Sequence, residues 1–265
     1  MKQIGIAGIG VIGPGISNWE DAVAVLTGAE DFDPQAEVPT ESPVSLPANE
    51  RRRVTPLIRM VLQCCEDPLS GYSAEYPPLQ SVFSSSCGGL ETADKILRSL
   101  TLPHKPVSPT QFHNSVHNAP AGYWLIASGV RSGSISISAH DSSFGAGLLN
   151  AVSNVLIGDG PTLLVSYDYM APPILRESRP YLGSFAVGLV LVDAPMRWTI
   201  EVDLRESDNC DKMGDMVLEA MRLGNPAARS LPLLARMAGD RPGQVRLPYL
   251  PNLDININVV RHARS

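Results

Sequence analysis

Short apolar runs alternate along this chain with segments of helical length, and that alternation most limits what it can fold into. Strand-like runs fall at residues 4–9, 80–86, 134–138, 162–167, 185–192 and 198–204. Between them, residues 17–26, 50–65, 90–100, 118–128 and 142–157 read as helices. Strands alternating with helices pack as an α/β layered sheet. Hydrophobic residues make up 44% of the 265, enough to fill a core.

Local signals place the boundaries. Ser17 and Glu20, three apart, form a capping box, and Gly28 ends that helix. Residues 30–49 are acidic and proline-bearing and form a loop. Pro56 falls in the early turns of the 50–65 helix and is expected to bend it. Residues 158–161, Gly-Asp-Gly-Pro, stop the helix before the fourth strand. After residue 206 the signal weakens. Helices are expected at 213–223 and 231–237, and the tail from Arg241 mixes proline with apolar residues and takes no assignment. The organisation that follows is one unit over 1–205 and a reduced C-terminal segment over 206–265, packing on that unit or on a partner.

Composition excludes several classes. The net charge is −6, and Arg51-Arg52-Arg53, which reads as a solvated helix turn, is the sole basic cluster. Nucleic acid is therefore a poor candidate partner. No run of about 18 apolar residues exists to span a membrane. The first residues lead into a glycine-rich strand rather than a secretion signal. The four cysteines have neither disulfide-framework density nor zinc spacing, so a reducing, cytoplasmic setting is expected, with no cofactor and no metal.

Four motifs carry possible chemistry. Residues 8–13, Gly-Ile-Gly-Val-Ile-Gly, match the dinucleotide fingerprint after a strand. Pro14-Gly15 interrupts entry into a helix, and no acidic strand end follows about 20 residues later. A tight strand-to-helix turn is the simpler reading. His113 and His117 are four apart and could share a helix face, but no third metal ligand accompanies them, and Pro109 and Pro120 leave little room for a regular helix. Cys87 sits before Gly88-Gly89 between a strand and a helix, where a helix N-terminus can activate a thiol; a small thiol in a glycine turn explains it equally. The sharp turn at His140-Asp141 joins a strand to an apolar helix. Acyl-transfer enzymes carry a nucleophile at such a turn. Here the tip is Asp141, a good helix cap and a poor nucleophile toward a thioester, whose charge opposes an oxyanion at the same helix end.

Together these segments resemble the N-terminal half of the β-ketoacyl synthase family, which has the thiolase fold. The opening residues 4–13 look like its first strand and turn. Residues 83–91, Phe-Ser-Ser-Ser-Cys-Gly-Gly-Leu-Glu, look like its glycine-glycine-leucine turn. Residues 107–122 resemble the approach to its dimer-interface helix, and residues 131–143 its nucleophile elbow, with Asp141 where the family has cysteine. Residues 158–165 match the next helix end and strand, so the resemblance covers about 1–205. It implies a layered αβαβα fold, mainly the N-terminal half with a truncated C-terminal part. It also implies that the two catalytic histidines of the family's C-terminal half are missing; His262 in the tail matches no motif. The pattern is similar to chain-length factors, cysteine-less relatives that pair with an active ketosynthase, and more closely to shortened ketosynthase-like proteins of aryl polyene biosynthesis. The resemblance thus implies a catalytic β-ketoacyl synthase subunit as partner and acyl carrier protein as a transient one. Asp141 and its neighbour His140 are then a degenerate site. Gln111, Phe112, His113, Val116, His117, Tyr123 and Trp124 would line the interface and tunnel wall, or else pack the chain's own core. A stand-alone acyl-transferring enzyme using Cys87 is the alternative.

Overall fold

The computed structural model describes residues 2–70, 79–158, 160–207 and 209–263; Asp159, inside the helix stop read at 158–161, lies outside them. The elements run β1 (Ile4–Ile12), α1 (Trp19–Thr27), α2 (Ala48–Arg51), α3 (Pro56–Glu66), β2 (Gln80–Ser84), α4 (Leu90–Leu100), α5 (Pro109–Asn114) and α6 (Ala119–Ser128). They continue with β3 (Ser134–Ile137), α7 (Ser143–Leu156), β4 (Thr162–Asp168), β5 (Phe185–Val192), β6 (Trp198–Glu206), α8 (Met216–Gly224), α9 (Leu231–Ala238), β7 (Gly243–Leu250) and β8 (Leu253–Arg261).

Among the described residues, all eight strands join one sheet in the order β3-β2-β4-β5-β1-β6-β8-β7. β3, β2 and β4 are parallel, and every other neighbouring pair is antiparallel. Alternation of side chains divides the core by face. Val187, Leu189 and Leu191 of β5 join α1, α7, α8 and α9 on one side. Ala186, Val190 and Val192 join α3 and α6 on the other. Every residue of β5 is buried. At roughly 1.5–3 kcal/mol per large apolar side chain removed from water, this two-sided burial fixes the strand at the centre. The result is the thiolase-like α/β layering, here one sheet with helices on both faces.

The structure corrects several local expectations. β1 extends to Ile12, so Gly8 and Gly10 lie within a strand and not in a strand-to-helix turn. They are small because the segment after α3 crosses β1 there: a Cβ on Gly8 would meet the Pro68 carbonyl oxygen at 1.8 Å. The α1 cap is Asn18, whose side chain accepts from Asp21 N at 2.9 Å, while the Asp21 carboxylate accepts from Ser17 N at 2.9 Å. The cap is therefore Asn18, with Asp21 reaching back to the Ser17 N–H and hydroxyl, rather than Ser17 with Glu20. Pro56 bends nothing; it is the first residue of α3, capped by Thr55, where its missing N–H costs no bond. The same device starts α5 at Pro109 after Ser108, where no regular helix was expected. α8 starts at Met216 because Asp215 accepts from Val217 N and Leu218 N. The unassigned tail is a hairpin turning at Asn252, whose φ of 61° suits asparagine. Its second strand, β8, pairs with β6 along nine residues.

Candidate functional site

Two of the three parallel strands, β2 and β3, end level with one another, and β4 runs two residues further, to Asp168. Ser84 of β2 lies opposite Ile137 of β3 and Ser166 of β4. Their C-terminal ends deliver two strand-to-helix turns, residues 85–89 and 138–142, with the end of β4 between them.

Below the first turn sits Asp168, the last residue of β4, only 1% exposed. Its Oδ1 accepts from Ser85 Oγ at 3.1 Å, Ser86 N at 2.9 Å, Cys87 N at 3.4 Å and Tyr181 OH at 3.5 Å. Its Oδ2 is buried without a partner. Burial pushes the carboxyl up to about 7, against the pull of Ser85, the two backbone N–H groups and Arg179. Gly88 takes a left-handed φ of 58° at this bend, with His117 packed where a Cβ would go. Cys87 Sγ accepts from Tyr181 OH at 3.3 Å and lies 3.6 Å from Ser86 Oγ.

The second turn is the elbow. His140 holds a φ of 51°, uncommon for a residue with a Cβ. Asp141 caps no helix: α7 starts two residues later, at Ser143, and Ser143 Oγ accepts from Ala139 N at 3.1 Å. The Asp141 carboxylate, 51% exposed, faces Arg179 at 3.3 Å, Arg229 at 4.0 Å and His140 Nδ1 at 3.3 Å. His140 is 74% exposed, and its Nε2 lies 2.6 Å from Arg179 Nη1. Arg179 also donates to Tyr181 OH at 2.8 Å and to Ser86 Oγ, so one guanidinium ties the elbow to the glycine turn. Arg229 is held below its usual range by burial and by Arg222.

Of the other expected site residues, Phe112 (66% exposed) and Val116 (48%) stand at the surface, and Gln111 is half-buried on α5. Tyr123 and Trp124 face inward, in the core between α6 and the sheet. Tyr123 OH donates to Asn114 Oδ1 at 3.0 Å, and the His113 ring packs edge-on against it. His113 and His117 share no helix, because α5 ends at Asn114; His117 Nε2 instead reaches Ser85 O at 3.2 Å. His262 bonds Thr199 Oγ1 at 3.0 Å, away from both turns. Among the described residues no group of three His, Cys, Asp or Glu could hold a metal ion. None of their helices is long and apolar enough to cross a membrane.

Sequence reasoning missed Asp168, Arg179, Tyr181 and Arg229. A lone carboxylate closing the apolar strand Leu163–Tyr167 was the available signal for Asp168. Arg179 and Tyr181 lie in an irregular segment that joins β4 to β5, with no pattern to announce them.

Residues 27–240 match the model of the β-ketoacyl synthase, N-terminal domain. No curated protein matches the chain. Among solved structures, the chain is similar to a chain of the complex of the ketosynthase ApeO with its chain length factor ApeC from Xenorhabdus doucetiae. The identity is 22% and the TM-score 0.75, over 97% of this chain and 100% of that one. It is similar to a chain of the ishigamide ketosynthase/chain length factor at 15% identity and TM-score 0.73, over 98% and 100%. A β-ketoacyl synthase from Burkholderia phymatum STM815 aligns at 13% identity and TM-score 0.61, over 91% of this chain and 71% of that one. The glycine turn, the elbow and the strands that present them all fall inside the matched residues, and the chain belongs to the β-ketoacyl synthase family by its N-terminal domain.

Proposed function

We propose that the chain is a non-catalytic, chain-length-factor-like subunit. It pairs with an active β-ketoacyl-ACP synthase and shapes that partner's acyl-chain tunnel in polyketide, aryl polyene or fatty-acid-type biosynthesis, with acyl carrier protein as a transient partner. The observation that carries this reading is the state of the elbow. Its tip is a carboxylate held by two guanidinium groups. A carboxylate so paired is a weak nucleophile and repels a developing oxyanion. His140 beside it turns to solvent and to Arg179, not to a thiol. Similarity to ketosynthase–chain length factor complexes supports the pairing. In this reading exposed Phe112 and Val116 meet the partner, while buried Tyr123 and Trp124 set the wall from behind.

Co-expression with the ketosynthase encoded nearest to it, followed by size-exclusion chromatography with light scattering, tests the reading. We expect a stable one-to-one complex that condenses acyl thioesters only as a pair, and an unstable chain alone. Purified chain turning over malonyl thioesters unaided would end the proposal. Asp141→Cys alone should gain no condensation activity, since a thiol without its histidines is not activated.

A second reading rests on Cys87, half-buried at a glycine turn and hydrogen-bonded by Tyr181. No histidine reaches its sulfur among the described residues; His117 is spent on Ser85 O. Burial and Asp168 hold the Tyr181 hydroxyl well above its usual range, so it serves as a donor and not as a base. If Cys87→Ala leaves the complex fully active and the thiol resists labelling at neutral pH, this reading is dropped.

A further inference from the structure

Among the described residues the sheet has two edges, β3 and β7, and β7 is the longer, with eight residues against four. An edge strand presents backbone N–H and C=O groups that a further strand can pair with, a second copy of itself included. Antiparallel pairing alternates residues whose backbone groups face the neighbouring strand with residues whose groups face away. Arg246 lies opposite Asn256 of β8, yet its backbone groups are engaged from the other side. Asp211 N donates to Arg246 O at 2.9 Å, and Asp211 Oδ2 accepts from Arg246 N at 2.8 Å. Arg246 therefore faces outward, and so do Gln244 and Pro248, two residues to either side. Pro248 has no N–H to offer. Gln244 and Arg246 carry exposed polar side chains, and the Arg246 charge opposes its own copy. At the centre of the row, one half-buried residue meets both groups of Arg246: the Asp211 N–H serves as the donor of a neighbouring strand and its carboxylate as the acceptor. The segment that brings Asp211 there is anchored on both sides. Cys210 Sγ lies 4.0 Å from Oδ1 of Asp254, a β8 carboxylate only 3% exposed. Met213 packs against the core, and its N–H donates to Glu219 Oε2 at 2.9 Å.

We propose that residues 209–213 are an edge guard: Asp211 stands in for a neighbouring strand at Arg246 and closes β7 to the β7 of a second copy. Pro248 and the Arg246 charge blunt the rest of the row. A sheet open at both edges can add copies without limit, whereas a sheet closed at one edge cannot, so the guard keeps any assembly of this chain finite. It lies apart from the elbow and does not depend on the function proposed above.

The test is size-exclusion chromatography with light scattering on the full chain, in the assembly in which it purifies, over a series of concentrations. Arg246→Thr with Pro248→Val removes the charge and restores the missing donor but keeps Asp211, and its mass should match wild type throughout. Adding Asp211→Ala should make the mass rise with concentration, to about twice the wild-type value or more. Adding Asp211→Asn in its place, which keeps an acceptor for Arg246 N, should not. The proposal is overturned by a triple Asp211→Ala variant that is folded by circular dichroism and keeps the wild-type mass. It is equally overturned by association in the variant that keeps Asp211, or by an Asp211→Asn variant that associates as strongly as the alanine one. Hydrogen exchange in Asp211→Ala alone decides the case in which the triple variant does not fold. Exchange at the Arg246 amide should rise by about 10-fold or more over wild type, and unchanged exchange overturns the guard.

Discussion

The two turns at the C-terminal end of the parallel strands each carry one carboxylate, in opposite surroundings. Asp168, beneath the glycine turn, is sealed from water and held by hydroxyl and backbone donors. Asp141, at the elbow, is half exposed and held by guanidinium groups. Burial is the larger effect at Asp168, and its carboxyl rises to about 7. The difference teaches which carboxyl is structural. Asp168 organises a turn by accepting N–H groups, so its removal strands buried donors. Asp141 meets cations that water can also satisfy, so its removal is cheaper. Arg179 contacts both turns, and Ser138 Oγ of the second also donates directly to Ser86 O of the first at 3.0 Å.

The sharpest break of the comparison is Asp168→Leu. It leaves Ser85 Oγ, Ser86 N and Cys87 N without their acceptor in a buried setting. The cost is expected at about 3 kcal/mol or more, since each stranded donor costs on the order of 1–3 kcal/mol. Urea denaturation monitored by circular dichroism at pH 5.5 measures it; a loss under about 1 kcal/mol would mean that the turn holds itself.

The pH dependence follows from the same carboxyl. Its folded pKa of about 7 lies above the unfolded value near 3.9. Between these values the folded state binds more proton than the unfolded state, so the contribution of Asp168 is full below about pH 4 and fades as pH rises toward 7. The melting temperature of wild type relative to Asp168→Asn should therefore fall from pH 4 to 7 and level off above. A difference that is flat over that window, or that grows with pH, contradicts the assignment.

How much of this was legible in the sequence differs between the turns. The elbow could be read because a strand, a sharp turn and an apolar helix are contiguous, so the tip residue had to be His140 or Asp141. The sheet up to residue 204 could be read for the same reason: its strands are apolar runs with glycine or proline beyond them. What surrounds Asp141 could not, because Arg179 and Arg229 arrive from 38 and 88 residues away along the chain, and only the folded sheet brings them there. The tail failed differently. Its alternation of Ile255, Ile257 and Val259 with Asp254, Asn256 and Asn258 has the strand period. The prolines at 248 and 251 hid it, although an edge strand such as β7 tolerates Pro248.

Arg179→Met comes next in size, because it loosens both turns at once. It removes the bonds to Ser86 Oγ, Tyr181 OH and the elbow carboxylate. The expected cost is about 1–2 kcal/mol, between the two carboxylate effects, and hydrogen exchange should rise at residues 85–89 and 138–142 together. Exchange rising at the elbow alone would show that the glycine turn does not need the link.

The smallest effect is expected at Asp141 itself, and it separates a clamp from a cap. Were Asp141 a helix cap, Asp141→Ala would cost about 1 kcal/mol regardless of salt, because a cap bond to backbone N–H is short-ranged. The structure instead gives it ion pairs at 3.3 and 4.0 Å on a half-exposed carboxylate. Pairs of that exposure are worth about 0.2–1 kcal/mol and are screened when the Debye length shrinks from about 10 Å at 0.1 M salt to about 3 Å at 1 M. Asp141→Ala should therefore cost under about 1 kcal/mol in 0.1 M sodium chloride and less in 1 M. Asp141→Asn should behave like Asp141→Ala rather than like wild type, since an amide keeps the shape and loses the charge. An asparagine variant as stable as wild type at both salt concentrations would make the elbow contact one of hydrogen bonding alone. It would also remove the electrostatic half of the contrast with Asp168.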